Sequence, residues 1–244
     1  NNALVTKGLI GIPPNTYFKQ PSKVAIETIM DAIENAVHTV QAANVAGQSV
    51  LILGCGNQGL MATAIAHRSG ASRIYVTDVS NEARGTTHEK LERGRFAMAR
   101  KFGADDSFDA ALPAERARMR QVVLAATEGS GVDVVLEMSG SNSAYRDAFD
   151  LIRMGGNFVL LGIPEGDVHV NFARDVIFKG LTIHGVIGRR VFETWEIMRN
   201  MLTSGLAQLF IESGFIAPEL PIEQYESGMT AMEHGDAFKV VLKP

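Results

Sequence analysis

The sequence predicts a doubly wound α/β domain, a parallel sheet covered by helices on both faces. Three observations carry that prediction. Short apolar runs alternate with helical stretches, which implies right-handed crossovers and parallel strands. Runs such as Val50-Leu51-Ile52-Leu53 and Phe158-Val159-Leu160-Leu161 have no polar face, as a sheet covered twice requires. A glycine-rich turn, Gly54-Cys55-Gly56-Asn57-Gln58-Gly59, joins the first of these runs to the helix that follows.

Asn1 to Pro21 is punctuated by Gly8, Gly11, Pro13, Pro14 and Pro21 and reads as loop. Ile26, Ile29, Ile33, Val37 and Val40 then recur at helical steps, placing an apolar stripe on a helix that runs to about Ala43. Strands are expected at Ser49–Leu53, Arg73–Val79, weakly near Asp106, and at Val132–Glu137, Asn157–Leu161 and Leu181–Ile187. Helices are expected at about 57–68, 96–102, 113–127 (Pro113 in the first turn), 143–153 and 192–202. Near the end, 222–234 reads as a helix and 238–242 as a strand.

With 244 residues, 46% of them apolar and 20% charged, the chain is long enough for one large core with a small lobe. A net charge of −4 without a basic block argues against nucleic acid as a partner. No apolar run is long enough to cross a bilayer and no signal-peptide pattern opens the chain, so no membrane partner and a cytoplasmic location are expected. The single cysteine, Cys55, excludes an internal disulfide and a multi-cysteine zinc site, and reads as a small buried residue. The chain opens at Asn1 without methionine, which leaves a trimmed chain, a processed product and a fragment all open.

The glycine turn is where chemistry is expected. Gly54 permits the tight turn, Gly56 lets backbone approach a pyrophosphate, and Gly59 lets the helix pack on its strand. The helix N-terminus offers free N–H groups and partial positive charge to phosphates. Asp78, about twenty residues on at the end of the second strand, is placed to accept ribose hydroxyls and to repel a 2′-phosphate. The turn therefore predicts a Rossmann-type site for NAD rather than NADP, with nearby Arg84 as the complicating residue.

From about Asp31 to Pro244 the sequence resembles the zinc-dependent medium-chain alcohol dehydrogenases, and among them the threonine dehydrogenases. The resemblance rests on Asn35-Ala36-Val37-His38-Thr39, the glycine turn with Asp78, and Leu136-Glu137-Met138-Ser139-Gly140. It extends to Gly155-Gly156 leading to Leu161-Gly162-Ile163-Pro164, to Phe178-Lys179-Gly180, and above all to Gly188-Arg189-Arg190-Val191-Phe192-Glu193-Thr194-Trp195. It implies pyrophosphate contacts by Gly54, Gly56, Asn57, Gln58 and Gly59, and adenosine-side contacts by Asp78, Ser139 and Gly140. It places Leu161, Gly162 and Ile163 beside the nicotinamide and brings Arg189 to the cofactor. An arginine follows the ribose carboxylate in that family. Arg95 matches it, but about a dozen extra residues near 82–94 intervene, so either Arg84 fills that place or Arg95 returns to it.

The family's zinc ligands are lacking here, and zinc is not expected in this chain. Asp31 alone matches an acidic position of the zinc neighbourhood. Asp31 and His38 are weak catalytic candidates, since a helix sets them two turns apart, roughly 10 Å along its axis. The expected organisation is a lobe remnant at 1–30, an NAD-binding domain at 31–213 and a second lobe piece at 214–244, so that the two termini form a reduced lobe. The expected function is NAD-dependent oxidation of a small secondary alcohol, threonine-like or polyol-like. The alternative is NAD binding without turnover, as a sensor, scaffold or degenerate paralogue. Pairing of strand 181–187 with its copy in a homodimer or homotetramer is expected from the family and from the unprotected edge.

Overall fold

In a computed structural model, which describes Ile26 and residues 29–243, the chain forms one six-stranded parallel sheet and a separate two-stranded one. The elements follow in order: α1 (Met30–Ala43), β1 (Ser49–Leu53), α2 (Asn57–Arg68), β2 (Arg73–Asp78), α3 (His88–Leu91), α4 (Ala97–Lys101) and β3 (Asp106–Asp109). Then come α5 (Pro113–Ala126), β4 (Val132–Glu137), α6 (Asn142–Leu151), β5 (Ile152–Leu160), β6 (Thr182–Gly185), α7 (Glu193–Met201) and α8 (Ala207–Glu212). The last elements are β7 (Ile216–Pro221), α9 (Tyr225–Glu233) and β8 (Lys239–Lys243).

The large sheet runs β3-β2-β1-β4-β5-β6, with every pairing parallel. The order reverses between β1 and β4, which leaves a crevice beyond their carboxyl ends, where ligands of such sheets bind. All of β1 is buried, and its side chains alternate between two cores. Val50 and Ile52 join the core built with α1, α2, α7 and α8, whereas Leu51 and Leu53 join the one built with α5 and α6. That alternation is the two-sided burial expected from the sequence.

Several boundaries differ from expectation. The helix foreseen at 96–102 is the end of a longer run from His88, in which α3 passes through a π turn (Glu92–Phe96) into α4. β5 begins at Ile152, before Gly155-Gly156. The strand expected at 181–187 is confined to Thr182–Gly185: the Leu181 amide turns back to the Val176 carbonyl, and Gly188 takes a positive φ of 61°. β7 was not foreseen; it pairs in parallel with β8.

The C-terminal piece is tied to the main core. Phe215 packs edge-on against Phe102 at 5.6 Å and stacks on Phe238 at 5.9 Å, and Ile216 and Val241 belong to the same buried cluster. The expected contribution of the N-terminal 30 residues to a lobe falls almost wholly outside the described residues. Among the described residues, no helix is long and apolar enough to cross a membrane.

Candidate dinucleotide site

The glycine turn departs from β1 in a shape that side chains would not tolerate. Gly54 has a φ of 98°, and its amide donates to the Thr77 carbonyl (2.9 Å), fixing the turn against β2. A Cβ on Gly54 would lie 2.8 Å from the Ser139 Cβ, and one on Gly59 only 1.8 Å from the Gly54 carbonyl oxygen. A Cβ on Gly56 would meet nothing within 4 Å, because that face opens on the crevice. Gly56 is also the N-cap of α2, and no side chain caps it. The free N–H groups of the first turn of α2, with the positive end of its dipole, remain for an anion. Gln58 carries a buried amide oxygen without a partner. The glycine cradle and the free N–H groups of α2 fit a diphosphate, whereas the Gln58 oxygen is an acceptor and calls for a donor.

Asp78 ends β2 on the rim of the same crevice, with only 11% of its side chain exposed. One carboxylate oxygen accepts from the Val79 amide (2.8 Å) and the other from Arg95 Nη1 (2.7 Å). The inserted residues therefore loop out, and the chain returns Arg95 to Asp78. The insertion closes on itself through a bridge between Asn81 and Thr86, and is pinned where His88 Nδ1 meets the buried Asp109 carboxylate at 3.1 Å. Cys55 is fully buried beneath, its thiol 3.6 Å from the Arg95 carbonyl. Burial above all, with Asp78 adding to it, pushes that thiol well above its ordinary range, so it is packing rather than a nucleophile.

The turn after β4 is organised by Glu137, which is wholly buried. Its carboxylate accepts from the Ser139 amide (2.9 Å), the Ser139 hydroxyl (2.5 Å) and the Gly140 amide (3.0 Å). Its backbone carbonyl accepts from the amides of Leu161 (2.9 Å) and Gly162 (3.0 Å), which locks the two turns together. A Cβ on Gly162 would sit 2.2 Å from the Gly140 nitrogen. With those two amides engaged, Leu161 and Gly162 can offer a ligand their carbonyls.

These elements enclose a cleft of about 840 Å³ that brings together Gly54, Gly56, Asp78, Arg95 and Ser139. Leu161, Gly162 and Ile163 instead border an apolar groove of about 900 Å³ running along β6. Residues missed in the sequence also line the cleft: Asn81 and Thr86 of the insertion, Met138 and Ser141 of the β4 turn, and Met232, Glu233 and His234 at the end of α9. Met138 and Ser141 were within reach, because they flank the matched Ser139-Gly140. Nothing local marks the others.

Asp31, His38 and Arg189 meet elsewhere, where α1 faces the stretch after β6. Arg189 is ion-paired with Asp31 and lies 3.4 Å from the Glu34 carboxylate, while His38 Nδ1 donates to the Gly188 carbonyl (3.1 Å). Asp31, Glu34 and His38 thus bind one face of α1 to residues 188–189. Burial pushes the Glu34 carboxyl up to about 7, against the lowering effect of Arg189 and with a further rise from Asp31. A folded-state pKa above the ordinary 4.5 means that the folded chain holds the proton more tightly than the unfolded chain. That contribution is present below pH 4.5 and is lost as pH rises to about 7, for a total of about 3 kcal/mol. Chemical denaturation of Glu34→Gln across that window should show a flatter stability profile than the unaltered chain. Parallel profiles would contradict the assignment.

Residues 59–204 match the model of a family described as zinc-binding dehydrogenases. The chain belongs to that family. It is 36% identical to an L-threonine 3-dehydrogenase of Bacillus velezensis over 238 residues, and 37% identical to one of Francisella philomiragia over 237. These alignments cover 96% and 95% of this chain but 63% of each relative, so the chain spans less than two thirds of their length. An alcohol dehydrogenase of Thermotoga maritima superposes with a TM-score of 0.76 at 24% identity, covering 90% of this chain and 57% of that one. A Sinorhizobium meliloti protein described as a zinc-binding dehydrogenase bound to NADP superposes at 0.66 with 19% identity, covering 88% of this chain and 58% of that one. Among the described residues, no group of three or more His, Cys, Asp or Glu side chains is arranged to hold a metal ion.

Proposed function

We propose that the chain is the cofactor-holding part of an NAD-dependent dehydrogenase that oxidises a small secondary alcohol, threonine-like or polyol-like. The observation that carries the reading is the cleft in which an uncapped helix N-terminus, the open face of Gly56 and the Asp78 carboxylate converge. NAD would supply the hydride acceptor. The chain's own residues bind and orient it. The first turn of α2, with Asn57 and Gln58, faces the diphosphate. Asp78, held by Arg95, accepts ribose hydroxyls, and Ser139 and Gly140 border the adenosine side. The carbonyls of Leu161 and Gly162, with Ile163, position the carboxamide, and Arg189, steadied by Asp31 and Glu34, closes the far end. The activity and substrates of the threonine dehydrogenases support the choice of alcohol. Titration with NAD should show binding, and its absence would count against the reading. Mixing the protein with NAD and either L-threonine or a polyol, with and without zinc, reports in addition whether this part turns over by itself, and NADH formed with one of the two would identify the alcohol. A cytoplasmic location accords with this cofactor.

We also propose a homodimer, or a tetramer built from it, formed through β6. This strand is the edge of the sheet, and around it Ile163, Phe178 and Ile187 are 88%, 76% and 94% exposed. The Val186 amide donates inward to the Leu160 carbonyl, so by alternation the Ile183 amide points to the open edge. A proline at Ile183 removes an edge donor without touching the β5–β6 ladder. Light scattering should show a dimer for the unaltered chain and a monomer for Ile183→Pro; a monomer for both would contradict the proposal.

A further inference from the structure

One wall of the cleft is the end of α9. It adjoins the insertion, where the Gly235 carbonyl lies 3.8 Å from where a Cβ on Gly94 would stand. Gly94 precedes Arg95, whose guanidinium reaches Asp78 at 2.7 Å. Glu233 and His234, at that end of α9, line the same cleft as Asp78 and Arg95.

The charges in this cleft leave a question that the glycine motif does not answer. Asp78 and Arg95 are paired, so together they are close to neutral, and a guanidinium is itself a good partner for phosphate. Asp78 alone then discriminates against a 2′-phosphate less than an unpaired carboxylate would. Glu233 is the other carboxylate on the cleft wall, and it is exposed. It also ends a helix, where the last carbonyls add negative potential.

We infer that Glu233 is a second specificity-determining carboxylate, which returns the cleft to net negative charge and makes the site reject NADP. This rests on the NAD reading above. The test is calorimetric titration of the intact chain and of Glu233→Gln, Asp78→Ser and the double variant with NAD and with NADP. Glu233→Gln should narrow the ratio of the two dissociation constants by about threefold to tenfold while leaving that for NAD nearly unchanged, the range expected for one partly screened charge near a phosphate. Asp78→Ser should retain part of the preference. The double variant should favour NADP, because Arg95 is then free to hold the 2′-phosphate. An unchanged ratio in Glu233→Gln would overturn the inference. So would equal tightening of both cofactors, which would place Glu233 at the shared diphosphate instead. Failure of the unaltered chain to bind either cofactor would overturn the cofactor reading itself, and this inference with it.

Discussion

Gly59→Ala is expected to unfold the chain at a much lower temperature, and Gly56→Ala to leave it folded but unable to hold a dinucleotide. The two glycines lie three residues apart in one turn, yet they meet different surroundings. A Cβ on Gly59 would come within 1.8 Å of the Gly54 carbonyl oxygen, which belongs to a turn already fixed by its bond to Thr77. Backbone cannot swing aside as a side chain can, so α2 must lift from β1. The cost is about 3 kcal/mol or more, a fall in Tm of roughly 10 °C for a chain of this length. A Cβ on Gly56 meets no protein atom within 4 Å and should cost little stability, since Gly56 has an ordinary negative φ of −74°. It would occupy the space through which backbone approaches a diphosphate, and NAD affinity should fall by about a hundredfold or more, since binding needs that contact. Calorimetry and thermal unfolding of both variants check the contrast. Equal Tm values for the two, or unimpaired NAD binding by Gly56→Ala, would contradict it.

Glu137→Leu should be as damaging by another route. The buried carboxylate is the acceptor for two amides and a hydroxyl of the β4 turn. Leucine has similar volume but accepts nothing, so the amides of Ser139 and Gly140 and the Ser139 hydroxyl lose their partner together. At about 1–3 kcal/mol for each orphaned group, with some recovered through water, the loss is about 3–5 kcal/mol. Because the Glu137 carbonyl also anchors Leu161 and Gly162, both walls should loosen and cofactor affinity should fall with stability. Glu137→Gln keeps one acceptor oxygen and should lose less than half as much. Denaturant titration of the two variants decides this, and equal losses would show that the carboxylate's bonds are not what matters.

Strands such as β1 and β4 were legible because they are buried on both faces and nearly free of polar residues. β3 was weak because Asp106 and Asp109 bound it, and both carboxylates serve local partners: Asp106 pairs with Arg118, and Asp109 accepts from Ser80, Ala111 and His88. The helix from His88 was hidden by its π turn. One extra residue in that turn brings Leu91 and Phe96, five apart, to the same core, which breaks the 3.6-residue period on which sequence reading relies. Pro218 and Pro221 masked β7, which survives as one half of a two-stranded ribbon. At the site, the glycine turn and Asp78 were legible because their spacing is local. The choice between Arg84 and Arg95 was not, because it depends on how the insertion folds. The presence of Glu233 and His234 in the cleft depends on the path of a helix some 150 residues away in sequence, and no local pattern announces it.

The account stands on the cleft between β1 and β4 being an NAD site. Titration calorimetry of the unaltered chain with NAD and with NADP tests that most directly. The expected result is one NAD site per chain, with NADP binding measurably more weakly. Absence of binding by both, or NADP binding as tightly as NAD, would contradict it.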